Sequence, residues 1–291
     1  MFGKRKNKKL INEIIRLNDE AVNAEKQGDS VRVLSCIDNA WELAGKNKTH
    51  QLLNWVVMCN YTRYHLLYDP NVDKRQSRET YIYLRNIVKN NISKEQYNII
   101  KEQYGVLLVD LMSLQLEGKQ NGLFEEILEE AFVLSEDNEI ETQRREYLHI
   151  MSSGFAASYY VQSGNYAVAL HYGTMILEMV EYDEEISTLK LFFLNQLLFT
   201  YTLSGQIDHA TNLGRFLYVK YLKNEVQIDN MDEIHRMFEG YTVALTMKSE
   251  YRLAYHILKK AFDKGVIAEG NENTYLSDLY FAFIDIAERC K

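Results

Sequence analysis

The stretch "YYVQSGNYAVALHYG", residues 159–173, decides the fold, because the chain repeats it as "TYTLSGQIDHATNLG" at 200–214. The two copies are identical at Tyr160/Tyr201, Ser163/Ser204, Gly164/Gly205, Ala169/Ala210 and Gly173/Gly214. Weaker copies are "AEKQGDSVRVLSCI" at 24–37 and "LTMKSEYRLAYHIL" at 245–258. The second copy follows the first after 41 residues. Self-similarity at a period of this length is typical of a repeat architecture.

The repeated phrase predicts a helical hairpin. Gly164 and Gly205 stand where a first helix ends, since only glycine adopts the left-handed conformation there without steric cost. A polar residue follows and can start the second helix. Ala169 and Ala210 come a few residues later, and a small side chain at that point lets the two antiparallel helices approach closely.

Apolar residues recur with helical period on both sides of these turns, and the chain has a single proline, Pro70. The pattern predicts helices at 9–27, 30–44, 49–68, 76–90, 94–117, 122–134, 140–163, 166–181, 185–204, 207–223, 230–248, 251–264 and 272–290. The predicted fold is all-α, a right-handed α-solenoid of about six helical hairpins with a C-terminal capping helix. We expect a basic N-terminal tail over 1–8 and a single domain over 9–291.

The overall charge is −8, from 33 basic and 41 acidic side chains, which disfavours a surface that follows nucleic-acid phosphates. The "KRKNKK" run at 4–9 is interpreted as a solvated tail. Three cysteines far apart in sequence favour reduced thiols. The longest apolar run, 189–203, is too short and too polar to span a bilayer, so we expect a soluble, cytoplasmic protein with no membrane partner.

Residues Tyr160, Gly164, Asn165, Tyr166 and Ala169 resemble the tetratricopeptide repeat, whose first helix ends in an aromatic residue before a Gly-Asp/Asn-Tyr turn and an alanine. The repeats here are longer than the usual length of about 34 residues, and the tryptophan and closing proline of the consensus are absent. Long, degenerate repeats of this kind are similar to those of the cytoplasmic peptide-pheromone regulators of Gram-positive bacteria. That resemblance implies binding of a short secreted peptide. No helix-turn-helix precedes the first repeat, so the DNA-binding activity of that family is not implied.

The sequence contains no recognisable catalytic or cofactor pattern. None of the seven histidines pairs with another at i, i+3 or i, i+4, and none has a cysteine at a zinc-like spacing. "GKNKT" at 45–49 lacks the first glycine of a phosphate-binding loop. The acidic run at 124–141 is interpreted mainly as a solvated face, with docking of a basic partner as the alternative. We therefore expect no enzyme activity, no cofactor and no metal site.

The tetratricopeptide resemblance implies that the first helix of each hairpin lines a concave groove. The expected peptide- or partner-binding residues are Asn60, Arg63, Tyr64, Ser158, Gln162, Asn195, Phe199, Thr202, Arg236 and Glu239. Asn195 and Asn60 interrupt apolar runs, where a polar side chain must be satisfied. Each asparagine either bonds a neighbouring helix end or clamps a peptide backbone with its donor and acceptor.

The function expected from the sequence is a non-catalytic module that binds an extended protein or peptide segment. One alternative is a cytoplasmic peptide sensor that controls a transcription factor or response regulator. Another is a scaffold subunit of a larger assembly. A homodimer is left open.

Overall fold

The computed structural model describes residues 2–45, 51–118, 122–180, 183–227, 231–266, 282 and 285–289, with side chains from residue 8 onward. Its helices are α1 (Phe2–Lys26), α2 (Ser30–Gly45), α3 (Gln51–Tyr68), α4 (Lys74–Asn91), α5 (Lys94–Glu117), α6 (Phe124–Ser135), α7 (Thr142–Gln162), α8 (Tyr166–Val180), α9 (Thr188–Leu203), α10 (Ile207–Leu222), α11 (Met231–Met247) and α12 (Tyr251–Asp263). The described part of the chain contains no β-strand, and none of its helices is long and apolar enough to cross a membrane.

The predicted all-α helical-repeat fold is confirmed, and consecutive helices pack against each other from α1 to α6 and from α8 to α12. Helix α1 begins at Phe2, so its backbone includes most of the basic segment 1–8. The predicted capping helix, 272–290, lies outside the described residues except for 282 and 285–289, which are helical.

The hairpin turns share one hydrogen-bonded geometry. Gly28, Gly164 and Gly205 all have a positive φ, between 72° and 76°. In the turn at Gly164, the amide of Asn165 donates to the carbonyl of Tyr160 at 2.8 Å, which is the long bond of a Schellman motif. The same pattern closes the turns at Gly28, Gly205 and Ser249, although Ser249 reaches φ 62° with a side chain.

The last identical position of the repeat is a close approach between helices. A Cβ added to Gly173 of α8 would lie 2.6 Å from Leu197 of α9. At the matching Gly214 of α10, it would lie 2.4 Å from the ring of Tyr241 on α11. The repeat therefore keeps glycine here because each second helix packs its backbone against the first helix of the next hairpin.

The chain divides into two compact units, Met1–Ser152 and Ser153–Lys291, called unit 1 and unit 2 below. The expectation of a single domain over 9–291 stays a prediction. In unit 1, apolar side chains of α1, α2 and α3 form one buried cluster that includes Ile14, Ile37 and Val57.

Unit 1 also contains ion pairs between buried cations and the acidic run that follows α5. Arg85 of α4 is 3% exposed and contacts Glu130 at 2.5 Å and Glu126 at 3.0 Å, both on α6. Lys101 of α5 pairs with Asp137 at 2.9 Å and Glu139 at 2.8 Å. The interpretation of this run as mainly a solvated face holds for Glu126 and Glu139, which are 60% and 72% exposed, but not for Glu130 and Asp137, which are partly buried against these cations.

Candidate functional site

The residues predicted to bind a peptide lie in two groups, one in each unit. Asn60, Arg63 and Tyr64 lie on α3 in unit 1. The unit 2 residues are Ser158 and Gln162 on α7, Asn195, Phe199 and Thr202 on α9, and Arg236 and Glu239 on α11.

On α3, the accessible side of the helix is a stripe of residues 56, 60, 63 and 67, spaced by four, three and four positions. Such spacing keeps side chains on one face of an α-helix. Val56, Asn60 and Arg63 are half-buried and Leu67 is 52% exposed. Asn60 thus lies in the middle of a surface that is otherwise largely apolar.

Asn60 is the centre of a row of amide side chains that crosses three first helices. Its Nδ2 donates to Oδ1 of Asn18 on α1 at 2.9 Å, and its Oδ1 accepts from Nε2 of Gln103 on α5 at 2.7 Å. All three amides are half-buried. Asn18 lies in an accessible stripe of α1 at residues 15, 18 and 22, and Gln103 lies in one of α5 at residues 99, 103 and 106. We call Asn18, Asn60 and Gln103 the amide row.

Arg63 is held beside the amide row by an ion pair within the fold. Its guanidinium contacts the carboxylate of Asp110 on α5 at 2.8 Å and 3.0 Å, and the Tyr81 hydroxyl donates to the same carboxylate at 3.0 Å. Burial raises the pKa of Asp110, and the charge of Arg63 opposes that shift. Arg63 therefore joins α3 to α5 and remains partly accessible from the same face.

Tyr64 is 4% exposed, and its hydroxyl donates to Glu25 of α1 at 3.1 Å. Desolvation raises the pKa of this phenol above its ordinary value, and the nearby Glu25 carboxylate raises it further. The expectation that Tyr64 faces an open groove is wrong, because the ring packs between helices and only its hydroxyl reaches a polar partner.

In unit 2, Asn195 and Thr202 are also buried, with 1% and 6% exposure. The Asn195 side chain donates to the backbone oxygen of Glu233 at 2.8 Å and to its carboxylate at 3.1 Å, in the first turn of α11. The Thr202 hydroxyl donates back to the carbonyl of Leu198. Asn195 therefore bonds a neighbouring helix end, the first of the two alternatives, and neither side chain lies on an open surface.

The accessible stripe of α9 includes the predicted Phe199 but not Asn195 and Thr202, each of which lies one position before a stripe residue. It consists of Phe192, Gln196, Phe199 and Leu203. Gln196 was missed, although its spacing of three from Phe199 and four from Phe192 is the signal that would have found it. Its carbonyl oxygen accepts from the Ser158 hydroxyl of α7 at 2.5 Å.

Of the remaining predicted residues of unit 2, Arg236 contacts this stripe. Arg236 lies 5.9 Å above the ring of Phe192 and 3.3 Å from Glu233. Phe199 and Glu239 are half-buried, and Gln162 is exposed. The accessible face of α7, α9 and α11 therefore combines hydroxyl, amide and charged groups with exposed apolar side chains.

No protein-family model matches this chain, and no curated protein matches it. Among solved structures, a tetratricopeptide repeat protein from Parabacteroides merdae has a similar fold, with a TM-score of 0.56 and 16% sequence identity. The match covers 96% of this chain and 88% of that one. The match to the TPR domain of P58(IPK) covers 96% of this chain and 67% of that one at 10% identity, with a TM-score of only 0.34. The first similarity shows a tetratricopeptide-like α-solenoid fold.

Proposed function

We propose that this chain is a non-catalytic interaction module and that the amide row of unit 1 binds an extended segment of a protein or peptide. The observation that carries the proposal is the bonded row Asn18–Asn60–Gln103 on three successive first helices. The tetratricopeptide-like fold supports the general class of function.

A row of amides suits a peptide backbone because each amide offers both a donor and an acceptor. The contacts described for Asn60 use one of its two N–H groups and one of the two lone pairs on its oxygen. The remaining capacity can meet the C=O and N–H groups of an extended segment. The bonds within the row hold the side chains in place beforehand, which lowers the entropy lost on binding.

Apolar side chains flank the row and provide contacts for the side chains of such a segment. Ile15 of α1, Leu67 of α3 and Ile99 of α5 are 45%, 52% and 74% exposed, and each lies in the accessible stripe of its helix. We propose that the ligand backbone runs over the amide row while alternate side chains contact these apolar residues.

The test starts from random twelve-residue peptides selected on the intact protein, whose affinities are then measured by fluorescence anisotropy. Asn60→Ala and Gln103→Ala are each expected to weaken binding about tenfold, the effect of losing a hydrogen bond worth about 1 kcal/mol together with the support it gives its neighbour. Asn90→Ala, on α4, is the control, because this exposed amide bonds only the carbonyl of Asn86 among its described contacts.

N-methylation of the selected peptide, one backbone nitrogen at a time, shows whether the backbone is bound. Loss of affinity at particular nitrogens, and loss of that position dependence in Asn60→Ala, would support the proposal. Selected peptides that bind Asn60→Ala and Gln103→Ala as tightly as the wild type would contradict it.

The peptide-sensing alternative uses the same site and adds a second protein whose binding changes when the peptide is present. To separate it from the simpler module, partner proteins are captured on the immobilised chain and the selected peptide is added. Release of those proteins by the peptide supports the sensor. The scaffold alternative places the partner on another face of the helices.

A further inference from the structure

The two faces of α3 differ in chemistry. With 100° per residue, Met58, Tyr61, Thr62 and His65 lie on the side opposite Asn60, Arg63 and Tyr64. These four line a cavity of about 450 Å³ together with Trp41 of α2 and seven residues just before and within the first turns of α4. The seven are Asp69, Asn71, Val72, Asp73, Gln76, Ser77 and Thr80. The cavity lies wholly within unit 1 and shares no residue with the amide row.

Aromatic rings form one wall of this cavity. Trp41 stacks on Tyr61 with ring centroids 5.0 Å apart, and Tyr61 lies 4.4 Å from the ring of His65. Trp41 is 39% exposed, which is unusual for so large an apolar side chain and leaves part of its indole accessible. An accessible indole face attracts cations through its quadrupole.

Asp69 and Asp73 line this cavity, and Asp38 lies beside it, in contact with His65. Asp38 and Asp69 contact the two ring nitrogens of His65 at 2.9 Å and 3.4 Å, and Asp38 remains 53% exposed. Asp73 lines the cavity and accepts from the backbone N–H groups of Arg75 and Gln76 at the start of α4.

The nearest cations along the chain are engaged elsewhere. Lys74 pairs with Glu117 at 2.6 Å, and Arg75 pairs with Glu79 at 3.2 Å. Arg78 lines a separate cavity beside Leu114 and Glu117. No lysine or arginine is among the described residues that line the cavity. Apart from His65, which contacts Asp38 and Asp69, the described cavity wall therefore offers no basic side chain to balance the three aspartates.

The cavity continues past Trp41 and Met58 into a second one of about 490 Å³ that is lined by Trp55, Tyr83 and Ile87. Tyr83 is 57% exposed. The two cavities share Trp41 and Met58 and together form a groove between α2 and α4. One end of the groove is aromatic and acidic, and the other combines aromatic and aliphatic side chains with the amides of Gln51, Asn54 and Asn91.

We propose that the groove between α2 and α4 docks a segment of a partner protein that inserts an arginine or lysine side chain beside Trp41, between Asp38, Asp69 and Asp73. The guanidinium or ammonium group meets the exposed indole face and the carboxylates, and apolar residues of the segment continue towards Tyr83. This site is independent of the amide row, so failure of one proposal leaves the other standing.

The probe is N-acetyl-arginine amide, titrated into the intact protein labelled with ¹⁵N at its two tryptophans, Trp41 and Trp55. The indole signal of Trp41 is identified by its absence in Trp41→Phe and is expected to shift and saturate at millimolar ligand. Trp55 lines the far end of the groove, but it is 2% exposed and its indole N–H donates to the Leu84 carbonyl at 3.0 Å, so its signal reports whether the protein is folded.

N-acetyl-citrulline amide has nearly the same shape without the charge, and is expected to bind at least about fivefold more weakly. The double variant Asp38→Asn, Asp69→Asn should reduce arginine binding to the citrulline level. The double variant Asp208→Asn, Asp263→Asn removes the same two charges from exposed positions of unit 2 and should leave arginine binding unchanged. An unchanged Trp55 signal shows that each variant is folded.

The proposal is overturned if the arginine and citrulline compounds shift Trp41 equally, or if neither shifts it. It is also overturned if the double variant binds arginine amide as well as the wild type does. A Trp41 signal that shifts with protein concentration alone would assign the groove to a second copy of this chain instead.

Discussion

Ser249 provides a direct test of the repeat geometry. In the copy of the repeat at 245–258, Ser249 occupies the turn position that glycine holds at Gly164 and Gly205, and its φ of 62° is also left-handed. For a residue with a Cβ, this conformation is less stable than the right-handed one by about 1–2 kcal/mol. Glycine avoids that cost, but it loses about 0.5–1 kcal/mol through the greater freedom of the unfolded chain. Ser249→Gly should therefore stabilise the protein by about 0.5–1 kcal/mol.

Ser204 is the matched control, because it lies in an equivalent turn one position before the left-handed residue. Its φ is −81°, and its hydroxyl donates to the Tyr201 carbonyl at 3.0 Å. Ser204→Gly relieves no backbone strain, increases the freedom of the unfolded chain and removes a hydrogen bond. The same substitution should thus destabilise the protein here, by about 1 kcal/mol.

Both variants are measured by urea and thermal unfolding, followed by circular dichroism at the helical minimum. For a chain of this size, 1 kcal/mol corresponds to about 2–4 °C in the melting temperature. The transition to follow is that of unit 2, which contains both serines. A loss of stability in Ser249→Gly, or a gain in Ser204→Gly, would refute the assignment of a common turn geometry to the repeats.

Two further predictions follow from buried polar contacts. Asn195→Ala is expected to lower the free energy of unfolding by about 1–3 kcal/mol, because it leaves the buried Glu233 without its amide partner. An unchanged urea midpoint would show that this contact is dispensable. The second concerns Glu130: burial alone would raise its pKa, but hydrogen bonds from Arg85, Tyr104 and Lys89 together lower it. Its contribution to stability is thus complete above the ordinary glutamate pKa and is lost as the pH falls through the lowered value. Between about pH 5 and pH 3 the Glu130→Gln variant should lose less stability than the wild type, and parallel pH profiles would argue against this ion pair.

The helices and their hairpin turns could be predicted because their signals are local. A glycine at the end of a helical pattern, as at Gly164, indicates both where the helix ends and that a left-handed residue follows it. Ser249 shows the limit of that rule, since its place in the repeat, and not its own preference, identifies the turn.

The site was predicted less well because helical spacing alone does not say which face of a helix is covered. Asn195 and Gln196 are neighbours in an apolar run, and both are polar. The packing of α11 against α9 buries Asn195 and leaves Gln196 half-accessible. Arg63 and Tyr64 have partners on α5 and α1, at positions far away in sequence.

The sequence by itself therefore determined the all-helical repeat, its turns and most helix boundaries, because helical period and left-handed glycine are properties of short segments. Only the tertiary structure decided which polar residues meet. The bonds from Asn60 to Asn18 and Gln103 join positions 42 and 43 residues apart, and the cavity beside Trp41 is built from three helices. Such contacts depend on how the hairpins pack against one another, which the pattern of any one hairpin does not contain.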